Sequence, residues 1–102
     1  MMRWSPSAPA RPGCPHRRLA RLLAIELGSG VTIGASTLRP WASANFIGAR
    51  HLFPCTGDRP TKALQDRLTT AEWRLPGHIV ADVAVDPGEG TAFTIEILTV
   101  ED

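Results

Sequence analysis

The feature that most constrains this chain is a change of apolar period that occurs twice. Leu19, Leu22, Leu23 and Leu27 fall at i, i+3, i+4 and i+8, one stripe along a helix. Gly28 and Gly30 then supply a stop, because glycine adopts the backbone conformations that end helices. Beyond them Val31, Ile33 and Ala35 alternate with Thr32, Gly34 and Ser36, the pattern of a half-buried strand. The second helical stripe is Leu64, Leu68, Ala71 and Leu75, with Asp58 as its expected cap and Pro60 in its first turn. Pro76-Gly77 ends it, and His78 to Asp86 alternates again. Asp86-Pro87-Gly88-Glu89-Gly90 is a turn-rich loop, and Thr91 to Val100 is the last strand.

Between the two helices the pattern is less regular. Leu38-Arg39-Pro40-Trp41 is expected to turn or bulge, since Pro40 removes a ladder donor. A strand follows from about Ser43 to Phe53, with Pro54 to Gly57 as a loop. Of its two sides, Ala44, Phe46, Gly48, Arg50 and Leu52 are expected to be the more buried. In the later strand Ile79, Ala81, Val83 and Val85 are expected on one face, and His78, Val80, Asp82, Ala84 and Asp86 on the other. The expected fold class is therefore α+β in the order α-β-β-α-β-β. It would be a mainly antiparallel four-stranded sheet with two helices on one face.

The chain has 102 residues, enough for one domain. Residues 1–16 hold four prolines and few core-forming side chains, and are expected to be a disordered Pro/Arg-rich tail; residues 17–102 would form the single domain. No stretch approaches the roughly 18 apolar residues of a membrane helix. Leu19 to Leu27 is too short and too charged for a signal peptide, so a cytoplasmic location is expected, with no membrane partner. Two cysteines, Cys14 and Cys55, make no disulfide framework. The net charge of +1 implies no partner, but five arginines and no acid lie in residues 1–21, and six acids and no base in residues 80–102. The arginine-rich start with Trp4 offers phosphate contacts by charge alone, yet no further basic stripe follows, so nucleic acid is not expected.

Two constellations carry possible chemistry. Cys14-Pro15-His16 and His51 with Cys55 would supply a Cys₂His₂ set for Zn²⁺, with Cys14, His16, His51 and Cys55 as ligands. Neither pair has the usual C-x2-C spacing, and no metal or other cofactor is expected. The second constellation is a polar sheet face. His78 and Asp82, with His51 and Arg50 from the other hairpin, are the candidate acid–base and anion-binding groups, and Glu96 or Asn45 could approach them. There is no G-x-S-x-G, and Gly28-Ser29-Gly30 and Gly88-Glu89-Gly90 are better read as turns than as phosphate loops.

The segments Arg39 to His51, RPWASANFIGARH, and Leu75 to Asp82, LPGHIVAD, resemble stretches in short uncharacterised bacterial α+β proteins, over about residues 31–100. That resemblance implies the fold class and no activity. The preferred expectation is a small non-catalytic binding or assembly domain that uses the open sheet face, as a homo-oligomer or with a protein partner. The alternative is a small enzyme or ligand-binding protein with a His/carboxylate site on that face.

Overall fold

The computed structural model describes residues 14–58 and 61–102. In chain order they form α1 (His16–Leu27), β1 (Val31–Ile33), β2 (Thr37–Ala42), β3 (Ile47–Gly57), α2 (Thr61–Thr70), β4 (His78–Pro87) and β5 (Ala92–Glu101). The α+β class and a mainly antiparallel sheet are as expected, but the sheet has five strands. β3 pairs with β5 and β5 with β4, while β1 and β2 share the other edge of β3.

The extra strand arises because the first half of the expected hairpin is split. β1 pairs with Cys55–Gly57 and β2 with Ile47–Leu52. The break is at Gly34–Ser36, where the Gly34 N–H donates to the Pro54 carbonyl at 2.7 Å. Leu38 to Trp41, expected as an interruption, lies inside β2 instead. Pro40 is tolerated there because β2 is an edge strand, and Pro54 because it falls opposite the gap between β1 and β2. Pro54 to Gly57, expected as a loop, completes β3, and the chain reverses at residues 43–46. The Ser43 N–H donates to the Phe46 carbonyl, and the Phe46 N–H to Ser43 Oγ.

Both helices cover one face. Leu19, Leu23 and Leu27 of α1 and Leu64 and Leu68 of α2 form one core with Phe53, Cys55, Val83, Phe93, Ile95, Ile97 and Leu75. Gly28 closes α1 with φ of 74° and its N–H on the Ala24 carbonyl. Ala71 and Leu75 lie beyond the end of α2, yet Leu75 is still buried. Gln65 of α2 also clasps the edge of β4: its Nε2 donates to the Val83 carbonyl at 2.6 Å, and its Oε1 accepts from the Val85 N–H at 2.7 Å. One side-chain amide thus takes the place of a missing neighbour strand.

The faces differ from expectation in two places. In β3 His51, Phe53 and Cys55 are buried on the helix side, whereas on the side expected to be buried only Gly48 is, with Leu52 half-buried and Arg50 exposed. In β4 a bulge between Val80 and Asp82 shifts the register. Val80, Val83 and Val85 therefore share the covered face, while Ile79, Asp82 and Ala84 share the open one. The domain also begins earlier than expected. Residues 1–13 of the expected tail lie outside the described residues, but Pro15 is buried, its carbonyl accepts the Leu19 N–H at 2.8 Å, and His16 opens α1. The expected α2 cap falls on a junction whose residues 59–60 are also outside the described residues.

Candidate functional site

The two faces of the sheet each hold a distinct set of polar groups, and the candidate residues are divided between them. On the covered face a hydrogen-bonded chain crosses from α1 to the sheet. Ser36, in the β1–β2 connection, lies with Oγ 2.8 Å from His16 Nε2. His16 Nδ1 is 2.8 Å from His51 Nδ1. His51 Nε2 is 2.9 Å from Thr99 Oγ1, and the Thr99 hydroxyl lies 3.4 Å from the Ala49 carbonyl it donates to. The register explains the last two contacts, because Ala49 pairs with Thr99 on adjacent strands and His51 lies two residues further along β3.

One direction of donation satisfies every member. Ser36 donates to His16 Nε2, the His16 Nδ1–H to His51 Nδ1, the His51 Nε2–H to Thr99, and Thr99 to the carbonyl. Both imidazoles are then neutral. The facing Nδ1 atoms share one hydrogen, so the pair can take up one further proton in this geometry but not two. Burial lowers the pKa of His51 to about 4, with the charges of His16 and His78 pushing the same way. Burial lowers His16 as well. The rings of His16, His51 and Phe53 lie nearly parallel, with interplanar angles of 18°, 8° and 11°. His51 is fully buried, whereas His16 and Ser36 are half-buried, so the network is closed at the sheet and reaches the surface at the serine.

The remaining candidates do not join it. The bulge in β4 leaves Asp82 exposed on the open face, opposite His51. His78 begins β4 with its Nδ1 3.2 Å from the Pro76 carbonyl. Arg50 is on the open face, 3.4 Å from Glu96 of β5. The expected His/carboxylate constellation is therefore divided by the sheet itself.

The metal set is also divided. His51 and Cys55 share a continuous strand, which sets residues four apart at about 13 Å. Cys55 is buried, its thiol donates to the Phe53 carbonyl at 3.3 Å, and burial pushes its pKa up to about 11. That thiol is a poor source of thiolate. Among the described residues no group of three or more His, Cys, Asp or Glu side chains is placed to hold a metal ion. His16 and His51 do meet, but on each other. Ser36 and Thr99 carry no sequence signal, since a lone hydroxyl marks nothing until the fold brings its partner.

The open face has a different character. Trp41 of β2, Leu52 of β3, Leu98 and Val100 of β5 and Ile79 of β4 form an apolar track across it. The Trp41 ring lies against Gly48, where a Cβ would run into that ring and the Thr99 carbonyl. Ile79 is 53% exposed, high for a large apolar side chain. Arg39 and Arg50 flank the track on the β2–β3 side, and Asp82 and Asp86 on the β4 side. Among the described residues no helix is long and apolar enough to cross a membrane. Comparison with known protein families, characterised proteins and solved structures finds no match to this chain.

Proposed function

We propose that the chain is an assembly domain whose open sheet face packs on the same face of a second copy. The supporting observation is the layout of that face. Trp41, Leu52, Leu98, Val100 and Ile79 make an apolar track across it, the Arg50–Glu96 pair lies beside that track, and Arg39 on one flank faces Asp82 and Asp86 on the other. Two sheets pack face to face at about 10 Å with their strands roughly aligned. A two-fold axis parallel to the strands would set the arginine flank of each copy against the aspartate flank of the other. The contact is then isologous and closes at a dimer. The apolar track in its centre would leave water, which is the main source of association free energy.

Sedimentation velocity over a range of concentrations tests this. A dimer is expected, and Leu98→Lys, which puts a charge in the centre of the contact, should give a monomer with unchanged far-UV circular dichroism. A strict monomer at high concentration overturns the proposal.

A further inference from the structure

We propose that Ser36, His16 and His51 form a hydrolytic relay in which Ser36 is the nucleophile, His16 the general base and His51 the positioning residue, acting on small carboxylic esters. This proposal is independent of the assembly face, which lies across the sheet.

The atoms meet in the order such a relay needs. A base that serves a serine must present one ring nitrogen to the hydroxyl and have the other held by a third group. His16 presents Nε2 to Ser36 Oγ at 2.8 Å and Nδ1 to His51 at 2.8 Å. His51 is itself fixed by Thr99 at 2.9 Å and by complete burial, so its acceptor nitrogen is held in place. The fixed end is inside and the nucleophile is at the half-buried end, where a substrate can reach it. Burial keeps His16 below the usual imidazole pKa, so its Nε2 lone pair is free at neutral pH. Packing alone would not need this order: a buried histidine is satisfied by any two partners, whereas here a hydroxyl, a base and an orienting group follow one another.

The chemistry balances without any other reagent than water. Ser36 Oγ bonds to the ester carbonyl carbon as its proton passes to His16 Nε2, and the carbonyl electron pair moves onto oxygen. On collapse the alkoxide leaves and takes the proton from His16 as an alcohol. A water molecule then attacks the acyl-serine, gives its proton to His16, and the acid departs as that proton returns to Ser36 Oγ. During each transfer the cationic His16 keeps its Nδ1–H on the neutral His51. The second imidazole can share the charge, though less strongly than a carboxylate would.

The test uses the unaltered chain first. Incubation with diisopropyl fluorophosphate, followed by intact-mass and peptide analysis, is expected to give one adduct, on Ser36, with fluoride released. Hydrolysis of 4-nitrophenyl acetate should show an initial burst and fall by about 10²- to 10⁴-fold in His16→Ala. Ser36→Ala should abolish both burst and adduct while its thermal unfolding stays unchanged. His51→Leu should lower kcat with KM unchanged and move the acidic limb of the pH profile, and His51→Gln, which keeps an acceptor for His16, should restore part of the rate. The proposal is overturned if no adduct forms, if it forms at another residue, or if Ser36→Ala hydrolyses the ester at the original rate. It is equally overturned if His51→Leu changes stability alone.

Discussion

The covered and open faces of the sheet are built from the same strands, residue by residue, yet they follow opposite rules. Phe53, Ile95 and Ile97 are fully buried, and among the described residues the only polar side chains so deeply placed beside them are His51 and Thr99, which satisfy each other. One position along, Leu52, Glu96 and Leu98 are half-buried and mix charge with apolar surface. The difference lies in what each face can leave unpaired. On the covered face a polar group must find a protein partner, because an unsatisfied buried group costs more than a hydrogen bond contributes. On the open face Arg50 and Glu96 meet at 3.4 Å with Arg50 largely in water, where an ion pair adds little. A polar group inside thus indicates an organised network, whereas a polar group outside indicates nothing until a partner is present.

The contrast can be broken most sharply by truncating adjacent residues. Phe53→Ala empties the centre of the core and should cost about 3–5 kcal/mol in chemical denaturation. Leu98→Ala, one position from Ile97 but on the open face, should cost under about 1 kcal/mol in a monomer measured at high dilution. Equal losses would mean that the two faces are buried alike.

The next effect is one of pH. The unfolded chain takes up a proton on His51 near the usual imidazole value, while the folded chain resists until about pH 4. Folding stability should therefore be full above about pH 6.5 and fall as the pH drops from there towards 4. The loss from this residue is about 3 kcal/mol, at about 1.4 kcal/mol for each tenfold difference in proton affinity between the unfolded and folded chain. Urea unfolding at several pH values should show it, and His51→Gln should flatten the profile in this range. A smaller effect is expected at the β4 edge. Gln65→Leu removes both of its bonds to β4, should cost about 1–3 kcal/mol, and should speed hydrogen exchange at the Val85 N–H.

Much of the framework is legible in the chain. The leucines at 19, 23 and 27 and at 64 and 68 mark both helices because a 3.6-residue period has no other explanation. Thr91 to Val100 reads as a strand because Phe93, Ile95 and Ile97 recur at every second residue and are all buried. The inward side of β3 is not legible. Both of its sides mix apolar and polar residues, and His51 looks outward until its partners are known. The bulge in β4 is equally hidden, since Ile79 to Val85 alternates well in either register. Cys14 to His16 reads as tail because proline content says how a segment cannot fold, not where it docks.

The sequence by itself determined the class of fold, the two helical stripes, the antiparallel pairing of neighbouring strands and the positions of the later turns. These depend on local periods and on residues that forbid particular backbone conformations. Only the tertiary structure decided the fifth strand, the faces of β3 and β4, and the meeting of Ser36, His16, His51 and Thr99. Those four residues come from a helix, a strand connection and two paired strands, and no two of them are neighbours in the chain. Their contacts depend on strand register and helix docking, which are set by burial summed over the whole core rather than by any one segment.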